Sequence, residues 1–220
     1  MAGKFNHRLF HFGPVIGGTM VDEELNKQLL EKGRKASTSH HKNLAGHFKD
    51  EKLFSDEDRQ WFVDNYSDYF IPYWQLLQTR TNPTYYYGMD PFKKIWLSNL
   101  WINFMKQGDF NPPHRHDGDF SFVLYLQVPK EIQEENKIFE GRGTGPGTIS
   151  FLYGEDKKGI KTSHGIDPYE NHMYIFQAGL THCVPPFKSD VERISVSGNW
   201  FIIDNVKEND ALKIGQITIK

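Results

Sequence analysis

The pattern of apolar and polar positions changes near residue 93, and the two parts of the chain predict different structures. Before residue 93, apolar side chains recur at helical spacing in two segments. After it, short aromatic or β-branched runs are separated by glycine, proline, asparagine and aspartate. Such runs are typical of a sandwich or barrel of antiparallel strands. The chain is therefore predicted to be mostly β, with helices in its N-terminal part.

The N-terminal part is predicted to contain an edge strand and two helices. A loose apolar alternation over residues 4–16 ends in Gly17-Gly18, which favours an edge strand and a turn. Thr19 or Asp22 can cap the first helix, in which acids precede bases. Ser55 precedes the second helix, whose aromatic stripe is expected to face the core and which Pro72 is expected to bend or end.

Polar stretches elsewhere are predicted to be loops. Residues 37–55 contain several histidines (His40, His41 and His47), but no carboxylate or cysteine pattern frames them, so we expect a surface loop packed by Leu44 and Phe48. Residues 79–92 are expected to form a loop at the entrance to a pocket. Residues 131–147 and 156–170 are predicted to be polar connections, and residues 207–220 can add one more strand.

Composition narrows the classes of protein. A chain of 220 residues that is 38% hydrophobic suits one domain with a full core. A formal net charge of -2 argues against binding to duplex nucleic acid. The single cysteine excludes an internal disulfide and favours a reducing compartment. No secretory peptide or membrane-spanning run is evident. We therefore expect a cytoplasmic protein, in the host-cell cytoplasm if a phage encodes it, with no membrane partner.

Histidines after residue 110 suggest a metal site. His114 and His116 are two residues apart, so in an extended segment their side chains share one face. Converging imidazoles suit a borderline metal such as Fe(II), zinc or nickel. A distant segment supplies His182, followed by Arg193. A structural zinc site would normally use thiolates, and Cys183 directly follows His182, where strand alternation turns it away from the metal.

These residues belong to a longer ordered pattern, NxxHxH…S…YL…G…H…P…RxSxxxN. Its members here are Asn111, His114, His116, Ser121, Tyr125, Leu126, Gly179, His182, Pro185, Arg193, Ser195 and Asn199. With this pattern the chain resembles the Fe(II)- and 2-oxoglutarate-dependent oxygenases, in their bacterial and phage branch and their prolyl-4-hydroxylase-like division. The resemblance covers residues 95–203, and Leu44 to Phe48 also looks like that branch.

The resemblance implies a fold and an activity. The expected core is a double-stranded β-helix of jelly-roll or cupin type over residues 93–205. An N-terminal strand and helical layer would occupy residues 1–92 and a C-terminal extension residues 206–220, all within one domain. The implied enzyme is a dioxygenase that uses Fe(II), 2-oxoglutarate and O2. It would hydroxylate an unidentified small-molecule or peptide substrate and release succinate and CO2.

The resemblance also implies roles for individual residues. His114, His116 and His182 would be the metal ligands and the catalytic residues. Arg193 and Ser195 would hold the far carboxylate of 2-oxoglutarate, which a guanidinium can bind through two parallel hydrogen bonds. Tyr125 would direct its hydroxyl to the same group. Most of the superfamily carries His-x-Asp where this chain has His-x-His, so Asp117 and Asp119 remain alternatives to His116 as third ligand.

Two other functions remain open from the sequence. Three imidazoles are closer to the ligand set of many cupins, which favours a cupin-type metal-dependent enzyme that does not use 2-oxoglutarate. The barrel can also be a non-enzymatic binding protein with incidental histidines, in which Arg193 pairs with Asp190 or Glu192. The aromatic run Tyr85-Tyr86-Tyr87 can stack on a sugar, a base or a proline ring. Neither the substrate nor the oligomeric state is predicted.

Overall fold

Two antiparallel sheets and three helices make up the described part of the chain. The computed structural model describes residues 13–40, 42, 44–48, 50–80, 93–141, 143–155, 158–159, 161–204 and 213–219. The helices are α1 (Glu23–Lys35), α2 (Asp56–Arg80) and α3 (Lys130–Lys137). The strands are β1 (Gly17–Met20), β2 (Thr38–Ser39), β3 (Glu51–Leu53), β4 (Lys94–Met105), β5 (Asn111–His114), β6 (Phe120–Gln127), β7 (Ile149–Leu152), β8 (Ser163–Ile166), β9 (His172–Gln177), β10 (Thr181–Val184), β11 (Arg193–Ile202) and β12 (Gln216–Thr218).

The larger sheet has eight strands in the order β1-β9-β6-β11-β4-β3-β2, with β12 also paired to β4. The smaller sheet has four strands in the order β5-β10-β7-β8. Every strand pairing is antiparallel. This arrangement confirms the predicted mostly-β architecture with N-terminal helices, and it includes the predicted C-terminal strand.

Helix α2 covers the outer face of the large sheet with the aromatic stripe that the sequence predicted to be core. The Phe62 ring stacks on Phe122 with centroids 5.4 Å apart, and Phe70 and Trp74 lie 5.0 and 5.2 Å from Trp200. All five of these side chains are fully buried. Burial of each large aromatic contributes on the order of 2 kcal/mol or more, so this layer accounts for much of the fold's stability.

Side-chain caps define the starts of the two long helices. Asp22 accepts a hydrogen bond from the Leu25 amide at 2.9 Å, and the Ser55 hydroxyl accepts one from the Asp58 amide at 3.1 Å. Pro72, which was expected to bend or end helix α2, does not end it, because the helix continues to Arg80. Pro72 lies on the exposed side, and Phe70 and Trp74 are buried on either side of it. Their packing outweighs the hydrogen bond that proline removes.

The predicted N-terminal edge strand lies later in the chain than expected. Residues 4–12 are outside the described residues, residues 13–16 form no strand, and the edge strand is Gly17–Met20. Gly17 is therefore part of a strand and not of a turn. A Cβ atom at Gly17 would lie 2.4 Å from the Tyr73 ring, so glycine is needed there for close packing against α2.

Three predicted loops contain regular structure that the sequence did not reveal. Helix α3 lies within the first polar connection and buries only Ile132, which leaves little apolar periodicity to detect. Strand β8 lies within the second connection and is mostly exposed. Strands β2 and β3 lie within the expected surface loop of residues 37–55. Residues 81–92, including the tyrosine run, are outside the described residues.

The proposed division at residues 92 and 205 remains a prediction. Strands β1, β2 and β3 from the N-terminal part all pair within the large sheet. In the described part of the chain, no helix is long and apolar enough to cross a membrane.

Candidate metal centre

Three histidines converge at one edge of the small sheet. Strands β5 and β10 are neighbours, and their register places His114 directly opposite His182. His116 lies two residues beyond the end of β5, and its Nε2 is 3.2 Å from the Nε2 of His182. One ligand atom from each imidazole lies within 4.8 Å of the others. The structure thus brings together the three predicted ligands, although their role as ligands remains a prediction.

Backbone carbonyls orient two of the imidazoles. The Nδ1 of His114 is 2.8 Å from the Pro112 carbonyl oxygen, and the Nδ1 of His182 is 2.9 Å from that of Leu180. We assign the proton to Nδ1 in both rings, because only a protonated nitrogen can donate to a carbonyl. The Nε2 lone pairs are then free for a metal, in the arrangement that metal-binding histidines normally use.

Burial keeps all three imidazoles neutral. It lowers the pKa of His182 to about 4, with a smaller contribution from His114. Burial likewise lowers the pKa of His114, and it lowers the pKa of His116 well below its usual value with help from the two neighbouring histidines. A neutral imidazole is the form that binds a metal, so the cluster is ready for metal binding at neutral pH.

The turn after His116 decides which side chains reach the cluster. Gly118 adopts a φ of +94°, and a Cβ there would lie 2.7 Å from the Trp200 carbonyl oxygen. Asp119 then accepts a hydrogen bond from the Ile202 amide at 2.7 Å. Asp117 lines the cavity, but among the described residues no carboxylate or cysteine joins the three histidines. The geometry therefore favours His116 over both aspartates and argues against a structural zinc site.

A cavity of about 350 Å³ lies between the two sheets beside the histidines. That volume is at the lower end of the range typical of small-molecule sites. The small sheet contributes His114 and His182 to its wall. The large sheet contributes mostly polar side chains (Asn99, Asn103, Tyr125, Arg193, Ser195, Ser197 and Asn199).

Arg193 is a buried cation without an anionic partner among the described residues. It is 3% exposed, its Nη1 donates to the Gly147 carbonyl oxygen, and its Nε has no hydrogen-bond partner in the described part of the chain. No carboxylate of the described residues lies within 4 Å of the guanidinium, and nearby Glu192 pairs instead with Arg34 at 3.7 Å. Burial lowers the pKa of Arg193, yet a guanidinium remains charged. An uncompensated buried charge is costly, which points to an anionic ligand.

Two further predicted residues lie beside Arg193. Ser195 is directly opposite Tyr125 on one neighbouring strand and Asn103 on the other. The Tyr125 ring lies 5.5 Å from the Arg193 guanidinium carbon, which is cation–π distance. Burial raises the pKa of Tyr125 to about 12, so its hydroxyl stays protonated and can donate to an anion.

Residues that the sequence analysis placed in a surface loop also reach the cavity. His40 and Glu51 line it and are 8% and 2% exposed. The His40 ring lies 5.9 Å from the Trp101 ring, which in turn lies 5.6 Å from the His116 ring. The expectation of a surface loop was wrong for these two, because β3 pairs with β4 and carries Glu51 into the cavity wall. No local sequence pattern indicated this contact.

Other histidines remain outside the cluster. His47 stacks on Phe110 with ring centroids 4.5 Å apart. The Nδ1 of His172 lies 2.9 Å from the Glu170 carbonyl oxygen, and His164 is exposed on β8.

The chain is similar to known proteins at the level of family and of fold. Residues 99–199, a little under half of the chain, match the family described as "Putative 2OG-Fe(II) oxygenase". No curated protein matches the chain. A solved prolyl hydroxylase from Trichoplax adhaerens, in complex with a hypoxia inducible factor oxygen degradation domain peptide fragment, is 13% identical. It aligns over 86% of this chain and 84% of its own with a TM-score of 0.55.

Two more solved structures align less well. A prolyl-4-hydroxylase from Pseudomonas putida is 16% identical over 85% of this chain and 91% of its own, with a TM-score of 0.47. A 2OG-Fe(II) oxygenase family oxidoreductase from Burkholderia pseudomallei is 18% identical over 49% of this chain and 43% of its own, with a TM-score of 0.35.

These findings confirm several predictions. The likeness to the T. adhaerens structure confirms the double-stranded β-helix fold. The family match confirms the resemblance drawn from the sequence, and it is to a family described as oxygenases that use Fe(II) and 2-oxoglutarate. It also speaks against a non-enzymatic barrel. The matched segment contains His114, His116, Tyr125, His182, Arg193 and Ser195.

Proposed function

We propose, from the family match and the cavity together, that this chain is an Fe(II)- and 2-oxoglutarate-dependent dioxygenase that hydroxylates a substrate and releases succinate and CO2. One observation carries the proposal: three neutral imidazoles and a buried guanidinium without an anion line the same cavity. The first group suits a divalent metal, and the second suits the carboxylate of a dicarboxylic acid.

The three imidazoles fit the metal that this reaction needs. His114, His116 and His182 would hold Fe(II) through nitrogen atoms, leaving the cavity side for the co-substrate and dioxygen. When bound, Fe(II) supplies the activation of dioxygen, with electrons provided by the decarboxylation of 2-oxoglutarate. The protein holds the imidazoles neutral and fixed through the carbonyls of Pro112 and Leu180.

Arg193, Ser195 and Tyr125 would bind the far carboxylate of 2-oxoglutarate. The unpaired Nε of Arg193 and the protonated hydroxyls of Ser195 and Tyr125 are donors on the same wall of the cavity. Since this wall is almost completely buried, a carboxylate there would be held in a region of low dielectric, where its pairing with the guanidinium is strong.

The composition of the histidine cluster also fits one alternative function. Among the described residues no carboxylate joins the three imidazoles, and a cluster of this kind also suits a cupin-type metal-dependent enzyme that does not use 2-oxoglutarate. In that enzyme Arg193 would have no co-substrate to bind.

Turnover of 2-oxoglutarate without added substrate separates the two functions. Purified protein with Fe(II) and air should form succinate, measured by NMR. Arg193→Met should lower the rate at limiting 2-oxoglutarate by about 10- to 100-fold, because hydrogen bonds to a charged group contribute about 1.5–3 kcal/mol each. The control is Arg34→Met, which removes an exposed arginine paired with Glu192 and should leave the rate unchanged. No succinate formation by any of the three proteins would support the cupin-type enzyme.

We further propose that the substrate is a small molecule or a peptide. The cavity has room for a small molecule or for a single side chain of a peptide. A cytoplasmic location is proposed from the presence of one cysteine, Cys183, in the whole chain.

A further inference from the structure

Glu51 is a buried acid on the cavity wall, and its carboxyl group lacks a counter-ion among the described residues. It lies on β3 directly opposite Asn103 of β4, and its side chain is 2% exposed. Its Oε2 is buried and has no hydrogen-bond partner among the residues that the structure describes. Nearly all buried carboxyl groups in proteins are paired or hydrogen bonded, so this group requires an explanation.

Among the residues that the structure describes, no cation compensates Glu51. Burial, and then the negative charge of Asp109, raise the pKa of Glu51 to about 8. Lys52 pairs with Asp50 at 3.6 Å and lies over the Phe104 ring, which belongs to the core cluster. Arg115 donates to the Thr181 hydroxyl. His40 is the other titratable side chain on this wall, and burial lowers its pKa, so it favours the neutral form.

One strand separates Glu51 from the proposed 2-oxoglutarate residues. Asn103 of β4 lies between Glu51 on β3 and Ser195 on β11, and Arg193 is also on β11. Strand β4 also contributes Trp101 to the cavity wall, and the Trp101 ring lies 5.6 Å from that of His116. Strands β3 and β4 therefore provide a carboxyl group and an aromatic ring on the cavity wall, and the co-substrate residues lie across β4 from Glu51.

We propose that Glu51 is the residue that selects the substrate, and that it binds a cationic group, an ammonium or a guanidinium. The inference rests on the proposed function, because it assigns this wall to the substrate. A bound cation would favour the ionised form of Glu51 and balance its negative charge, and charge-assisted hydrogen bonds to the cation would satisfy the carboxyl oxygens. The Trp101 ring would add a favourable face for the same cation.

Matched pairs of small probes test this inference. The probes are Nα-acetyl-arginine methylamide with its neutral citrulline analogue, and Nα-acetyl-lysine methylamide with its norleucine analogue. Binding is measured by calorimetry without oxygen, on protein containing Fe(II) and 2-oxoglutarate. At least one cationic probe should bind wild-type protein tenfold or more tightly than its neutral analogue. Glu51→Gln should remove that preference, whereas Asp50→Asn, a neighbouring exposed carboxylate, should retain it.

The contrary results are distinct. Equal binding of a cationic probe to wild type and Glu51→Gln, equal binding of charged and neutral probes, or no binding of any probe would each overturn the inference. Binding of 2-oxoglutarate is measured in the same samples. If wild type fails to bind it, the proposed function fails, whereas intact 2-oxoglutarate binding without a preference for cations overturns only the role of Glu51.

A second measurement does not depend on a variant. Protein labelled with 13C at the glutamate side-chain carboxyls should show one buried carboxyl resonance that shifts when the cationic probe is added and not when the neutral analogue is added. A spectrum in which no buried resonance responds to the cationic probe would contradict the inference.

Discussion

The two faces of the large sheet are built from the same strands but have opposite chemistry. Along β11, Ile194, Val196 and Trp200 belong to the core cluster that packs under the helices. Between them, Arg193, Ser195, Ser197 and Asn199 line the cavity. Both sets are more than nine-tenths buried. Alternate positions of one strand point to opposite faces, so a single segment supplies both the core and the site.

The unsatisfied polar atoms make the difference between the faces clear. On the core side, the indole nitrogens of Trp74 and Trp200 lack partners. On the cavity side, the partnerless atoms include the Nε of Arg193, the Oε2 of Glu51 and the Oδ1 of Asn199. Burying charged or amide groups in this way costs stability, and a ligand that pairs with them would compensate that cost. The outer face maintains the fold, and the inner face is arranged for binding.

The largest expected effect concerns the histidine cluster that lines the cavity. His182→Ala should weaken metal binding on the order of a hundredfold or more and abolish 2-oxoglutarate turnover. Mutating a residue that only hydrogen bonds to a metal ligand already lowers metal affinity or activity about 10- to 100-fold. Metal content after dialysis and succinate formation are the measurements. His164→Ala, an exposed histidine on β8, should behave as wild type. Stoichiometric metal in His182→Ala would show that the cluster is not the metal site.

Substitutions at two adjacent residues on β11 should lower stability by very different amounts. Trp200→Ala should lower the free energy of unfolding by about 3–5 kcal/mol, because it empties the contact with Phe70 and Trp74. Asn199→Ala should lower it by about 1 kcal/mol or less, since the Asn199 Oδ1 has no partner to lose. Urea unfolding measures both. Similar losses in the two variants would remove the distinction between the faces.

Glu51 should make stability depend on pH. Its pKa rises from 4.5 to about 8 on folding, so between these values the native state binds more protons than the unfolded state, and stability falls as pH rises. Glu51→Gln lacks this penalty. The free energy of unfolding of Glu51→Gln relative to wild type should therefore rise by about 2 kcal/mol between pH 5 and pH 9. One pKa unit corresponds to about 1.4 kcal/mol, and relaxation of the structure around the charged carboxylate reduces the total. Thermal unfolding across this range, with Asp50→Asn as control, measures the gain. A constant difference between the proteins would refute it.

The smallest expected effect concerns Tyr125. Tyr125→Phe keeps the ring beside Arg193 and removes only the hydroxyl. The KM for 2-oxoglutarate should rise about fivefold, the equivalent of one hydrogen bond of about 1 kcal/mol, with little change in melting temperature. Tyr153→Phe, an exposed tyrosine, is the control. An unchanged KM would place the co-substrate carboxylate away from this hydroxyl.

Much of the β core could be predicted from the sequence, because its strands are dense in aromatic and β-branched residues. Strand β11 illustrates this: its alternation predicts both a strand and two chemically different faces. The three histidines and Arg193 could be proposed as a site because they recur in an ordered motif. The three histidines lie close together because β5 pairs with β10. The motif predicts this pairing only if the fold of the family is assumed.

Other features depend on contacts that leave no local pattern. Glu51 and His40 reach the cavity because β3 pairs with β4, about fifty residues away in sequence. Strand β3 spans three residues, only one of them apolar, which gives too short a pattern to distinguish from a loop. Pro72 shows the converse, because a strong local signal to end a helix is overridden by tertiary packing of Phe70 and Trp74.

The most direct test of the central claim is an anaerobic titration of the protein with Fe(II) and 2-oxoglutarate, followed by visible absorption. Chelation of the keto acid by iron in the histidine cluster predicts a charge-transfer band that saturates near one equivalent of each. The band should be absent from His114→Ala and need higher 2-oxoglutarate in Arg193→Met. If wild-type protein holds stoichiometric Fe(II) and shows no band at saturating 2-oxoglutarate, the account of this cavity is contradicted.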